Sequence, residues 1–185
     1  MAEGFLRGLL ASRGGGGESI EVRSAGIAGW EGSAATPEAV EAAREREADI
    51  SGHVARRLSA GMVAEADLVV GLSAEHRDRA MLLVPDAMPR TFTLKEMVRL
   101  LDALPPAGQS GDAAERLRAR VAEADAVRRS GFERNPFDED VGDPLGRPAQ
   151  VYRAVAWEID ELCARLVDGL LGKAPARTSL WGEGE

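Results

Sequence analysis

The sequence predicts an α/β domain built on a short parallel sheet. Two observations carry that expectation. Short strand-like runs, Ser19–Ser24, Ala66–Leu72 and Pro89–Phe92, alternate with longer helical patterns, and strands alternating with helices imply parallel pairing. Three of the helical patterns also open on a residue suited to capping: Thr36, Ser73 and Thr93. The 185 residues, 44% hydrophobic and 29% charged, suit one domain with a real core.

Along the chain, residues 1–10 place Phe5, Leu6, Leu9 and Leu10 on one helical face, although no capping residue precedes them. Gly14–Gly17 reads as a hinge. Ser19–Ser24 alternates with period two, as a half-buried strand does. Residues 25–30 form a small-residue loop ending at Trp30, which is either a hydrophobic plug or the wall of a cleft. Thr36 caps a helix with Pro37 at its first position, running to about Ala48. Gly52–Ser59, which contains His53, is a loop or short turn. Ala66–Leu72 is an apolar strand buried on both faces. Ser73 caps a helix that stops before Pro85, and Thr93-Leu-Lys-Glu96 is a capping box opening a helix to Leu104. A linker at 105–111 leads into a charged helix, 112–130, whose narrow apolar stripe reads as an exposed insertion. The last helix, from about Pro148 to Leu171, buries Val151, Val155, Leu162, Leu166 and Leu170. Cys163 lies beside that stripe as a packed thiol. Gly172 ends the helix, and residues 173–185 read as a loose tail. The domain is therefore expected over residues 1–172, with an inserted helical segment at about 105–135.

Composition excludes several function classes. A net charge of −8 disfavours binding to nucleic acid or to anionic membranes. No apolar run approaches a membrane span and no signal segment opens the chain, so the expected location is cytoplasmic. One cysteine excludes an internal disulfide and a multi-cysteine zinc site. The stretch most suited to chemistry is Asp138–Pro148, whose glycines and prolines keep it out of helix and central strand. Asp143 precedes Pro144, which biases its backbone toward extended conformations. By itself this is either the start of a turn or a carboxyl group presented at a loop apex for proton transfer.

Taken in order, these segments resemble the low-molecular-weight protein-tyrosine phosphatase family. Residues 1–7, Met-Ala-Glu-Gly-Phe-Leu-Arg, are similar to the start of its first helix. Ser24-Ala25-Gly26 with Trp30 is similar to its second strand and cleft loop, and the stretch Ser51-Gly-His53-Val-Ala-Arg-Arg-Leu58 to its His-x-x-Arg segment. Ala66-Asp67-Leu-Val-Val with Glu75-His76 is similar to its third strand and following helix, and Asp143-Pro144 with Tyr152 to its general-acid loop. The resemblance implies a three-layer fold with strand order 2-1-3-4. Family members open on a strand running into Cys-x-x-x-x-x-Arg-Ser, whereas this sequence begins at the Met that follows that loop. The first strand, the nucleophilic cysteine and the phosphate-binding arginine are thus expected to be missing. Leu145-Gly146 also stands where many relatives carry aromatics.

The chemistry implied is a phosphocysteine mechanism in which Asp143 protonates the leaving group and then activates water. His53 would steady the phosphate loop and Trp30 would wall the cleft. The implied substrate is a phosphotyrosine protein or small aryl phosphate, with no cofactor and no metal. Three readings follow: a phosphatase whose sequence starts too late and is inactive as it stands; a non-catalytic, phosphatase-like binding domain; and, ranked last for want of further redox cysteines, an arsenate reductase relative.

Overall fold

The computed structural model describes residues 1–13, 19–28, 30–108, 111–131 and 139–173. The expected hinge at 14–17 and all but Lys173 of the expected tail lie outside them. Seven helices are described: α1 (Ala2–Ser12), α2 (Pro37–Arg44), α3 (Ala60–Glu65), α4 (Ala74–Leu83), α5 (Leu94–Asp102), α6 (Ala113–Arg129) and α7 (Ala149–Leu171). Two strands, β1 (Val69–Gly71) and β2 (Thr91–Thr93), pair in parallel with Val70 opposite Phe92.

Period two along β1 separates three layers. Val69 packs with Val63 of α3, Ala80 of α4 and Ala87. Val70 and Phe92 join the main core, formed by α1, α2, α5, α6 and α7. Helix α7 is the hub of that core, and Val155, Ala156, Ile159, Cys163, Leu166 and Leu170 are all buried on it. Val151, expected inside, is exposed, while its neighbour Tyr152 takes the buried side of that first turn.

Local capping rules set most helix starts. Thr36, Ser59 and Ser73 each accept a hydrogen bond from the backbone N–H three residues on. Thr93 and Glu96 form the reciprocal capping box. Gly172 ends α7 at φ 82°, a conformation that favours glycine. Helix α2 stops at Arg44, four residues early, since the chain turns back through Glu47 at φ 63°. The strand expected at Pro89–Phe92 starts later, because Pro85–Arg90 forms a 3-10 helix with Pro89 inside it.

Two expectations are corrected. Ser19–Ser24 is not a strand, although Ile20 and Val22 pack against the main core. Among the described residues no backbone hydrogen bond is seen between it and β1, and the segment first pairs at Gly26, opposite Arg57. Between it and β1 lies a cavity of about 670 Å³, lined by Ile20, Val22, Leu68, Val70 and Leu72 among others. An alternating pattern makes a strand only where a neighbouring edge supplies a ladder. The second correction concerns α6, which is not exposed: Leu117, Val121 and Ala124 are buried in the main core. Its arginines do the anchoring. Arg120 and Arg116 donate to the carbonyls of Gly169 and Leu171 at the C-terminus of α7, and Arg128 donates to Thr91 and Met88 and covers the Phe92 ring at 4.1 Å.

Candidate active site

Chemistry on a parallel sheet collects at the carboxyl ends of its strands. Here β1 ends at Gly71, where a Cβ would meet the Arg77 backbone nitrogen at 2.7 Å, so α4 starts hard against the strand. The loop carrying Asp143 is pinned to this corner. Val141 N–H donates to the Leu72 carbonyl at 2.8 Å, and Asp140 Oδ1 accepts from the Ala74 N–H at 2.7 Å. Arg77 donates to Glu139 Oε2 at 2.8 Å.

These contacts separate the carboxylates of the loop. Glu139 is 6% exposed and ion-paired, and Asp140 occupies the first turn of α4. Asp143 is exposed and forms no ion pair among the described residues. Among the described residues its Oδ1 accepts the Leu145 N–H, at 3.0 Å, which holds the carboxyl in a turn. Asp138 lies outside the described residues. Leu145 is 60% exposed, so the residue after Pro144 offers an open apolar surface rather than core.

The other two expected site residues sit together on a second corner. Trp30 is 70% exposed and therefore not a hydrophobic plug. Its loop is tied to the His53 loop by hydrogen bonds between Gly32 and Ala55 and between Ala55 and Ser33, with Ala34 bridging Val54. His53 Nδ1 stands 3.6 Å from Glu3 Oε2. No hydrogen bond or ion pair joins this corner to Asp143 among the described residues.

Two residues absent from the sequence reading prove central to these corners. Glu3, 8% exposed on α1, accepts from the Ser24 hydroxyl and pairs with Arg7 at 2.6 Å and Arg56 at 3.5 Å, besides facing His53. Arg77 links Glu139 to Asp78 and lies 3.8 Å from Glu96. Sequence offers little signal for either, since their partners stand up to 62 residues away.

Cys163 is fully buried, and burial pushes its thiol up to about 12, with Asp160 adding in the same direction. A thiol so held is protonated and inaccessible. No group of three or more His, Cys, Asp and Glu suited to a metal ion occurs among the described residues, and no described helix is long and apolar enough to cross a membrane.

A family model for low molecular weight phosphotyrosine protein phosphatases matches residues 1–127. A protein-arginine-phosphatase of Geobacillus stearothermophilus is 28% identical over 151 residues, 82% of this chain and 77% of the relative. An arsenate reductase of Staphylococcus xylosus is 31% identical over 121 residues, 65% of this chain and 79% of the relative. Among solved structures, a low molecular weight protein tyrosine phosphatase from T. tengcongensis superposes with a TM-score of 0.65 at 28% identity, covering 91% of this chain and 88% of that one.

Proposed function

Because this chain belongs to the low molecular weight phosphotyrosine protein phosphatase family, we propose that it carries the acid–base half of a phosphomonoester hydrolase, with Asp143 as general acid and base. The observation that supports this is the sorting of the loop carboxylates: Glu139 is buried and ion-paired, Asp140 is exposed but tied across to the start of α4, and Asp143 is exposed and, among the described residues, bound only within its own loop. An exposed carboxyl on an anchored loop can give a proton to a departing oxygen and take one back from water. The substrate class is a phosphoprotein or a small aryl phosphate, met in the cytoplasm. His53 and Trp30 serve the other corner, His53 through Glu3 in support of a phosphate-binding loop and Trp30 as a wall for the substrate.

The nucleophile is a separate matter. The family chemistry needs a thiolate with its phosphate-cradling backbone and arginine. The 185 residues contain one cysteine, and it is followed by no Arg at the required spacing. Cys163 is buried with its thiol protonated, so it supplies neither this step nor the thiol relay of an arsenate reductase. The cavity between residues 19–25 and β1 is where the resemblance puts the strand leading into the phosphate loop. The binding-domain reading is favoured by the same buried cysteine, and it predicts phosphate-ester binding without turnover.

The test is leaving-group dependence in a version bearing that strand and loop. Asp143→Ala lowers kcat by roughly 10²–10⁴ for phenyl phosphate, far less for leaving groups that depart without a proton, and leaves KM nearly unchanged. It also removes the alkaline limb of the pH–rate profile. A steepened dependence at Asp138→Ala or Asp140→Ala instead would assign the acid elsewhere.

A further inference from the structure

Three consecutive loop residues meet three points on one corner of the scaffold. Val141 binds the Leu72 carbonyl, Asp140 binds the Ala74 N–H, and Glu139 binds Arg77. The first is a backbone contact and the second is made by an exposed carboxylate. The third is buried: the Glu139 side chain is 6% exposed and that of Arg77 is 11%. Arg77 also faces Glu96, itself 1% exposed and fixed by the capping box of α5, so one guanidinium stands between two buried carboxylates. Glu139 Oε1 accepts no hydrogen bond, and its next cation, Arg99 Nη2, is 3.9 Å away. Glu139 therefore depends on Arg77 for its place inside the protein, since a buried carboxylate without its cation moves toward water.

We propose that Arg77 and Glu139 form a latch that positions Asp143. This rests on the reading of Asp143 as the general acid, and both latch residues are positioning residues that act through the loop. Asp143 stands four residues beyond Glu139 and two beyond Val141. Its own turn, closed by the Leu145 N–H, fixes the carboxyl relative to the loop. The latch fixes the loop relative to β1 and α4. Without Arg77, Glu139 leaves its site, Val141 loses its register on Leu72, and Asp143 becomes a mobile surface carboxylate. Because Arg77 touches α5 as well, the latch ties the acid loop to the start of both sheet-following helices.

The test uses the 185-residue chain and needs no turnover, so it is decided separately from the general-acid reading, which stands or falls on the leaving-group series. Amide hydrogen exchange is followed at Val141 and Leu145, with α7 amides as the internal reference, and the Asp143 carboxyl 13C resonance is recorded. Arg77→Met should raise exchange at both loop amides by about tenfold or more, while α7 amides change less than about twofold, and the 13C resonance should shift. Arg77→Lys, which keeps a cation between the two carboxylates, should return the resonance and most of the protection. Should Arg77→Met fail to fold, Glu139→Gln leaves Arg77 paired with Asp78 and Glu96, and it is judged by the same local criterion. Unchanged loop exchange, or a rise of equal size in the loop and in α7, overturns the latch.

Discussion

Single side chains here are placed by partners distant in sequence. Glu3 is the clearest case: a carboxylate in the first turn of a helix reads as a solvated dipole partner, yet it is buried between Ser24, His53, Arg7 and Arg56. Replacing it with alanine leaves the Ser24 hydroxyl without its acceptor and should cost about 1–3 kcal/mol in a urea titration. Cys163 gives a pH prediction of definite sign. Its folded pKa, about 12, lies above the ordinary value of 9.0. A raised pKa means that the folded state holds the proton more tightly, so this contribution is complete below the unfolded pKa and is lost as pH rises through the folded one. Between these values the native protein should lose stability faster than Cys163→Ala, as read from urea midpoints at rising pH. Equal slopes would refute the assignment. Iodoacetamide should label the thiol only on unfolding.

Elements were legible where their signals are local. Thr36, Ser73 and the Thr93–Glu96 box act within one turn, and each starts its helix where the sequence places it. Gly172 ends α7 for the same reason. What was not legible needed a partner. Ser19–Ser24 has the alternation of a strand but no ladder beside it. Helix α6 looked exposed because Arg116, Arg120 and Arg128 read as surface charge, whereas in the fold they reach carbonyls of α7 and of the β2 region. The prediction at this scale is that Leu117→Ala destabilises by about 2–5 kcal/mol, the range for a core leucine. A truly exposed helix would give a change within about 0.5 kcal/mol. At the loop carrying Asp143, Pro144 is a local signal, but the ties to Leu72, Ala74 and Arg77 join segments that no local pattern connects.

For the molecule as a whole, the notable feature is the open cavity beside β1. Ile20, Val22, Leu68, Val70 and Leu72 line it and are only partly buried. A strand seated there would bury about four apolar side chains of its own, at roughly 1.5–3 kcal/mol each, or about 6–12 kcal/mol together. That is comparable with the whole net stability of a domain, about 5–15 kcal/mol, so a version extended by such a strand should unfold at a clearly higher urea concentration than the 185 residues alone. Equal midpoints would count against this. The same seating would bring a phosphate loop to the edge of the sheet that holds the Asp143 corner. The most direct measurement is p-nitrophenyl phosphate turnover by the 185-residue chain beside a version extended by a strand and Cys-x-x-x-x-x-Arg-Ser-Pro ahead of Met1. No turnover by the former and thiolate-dependent turnover by the latter is the predicted result. Turnover by the 185 residues alone, abolished by Asp143→Ala, would contradict it.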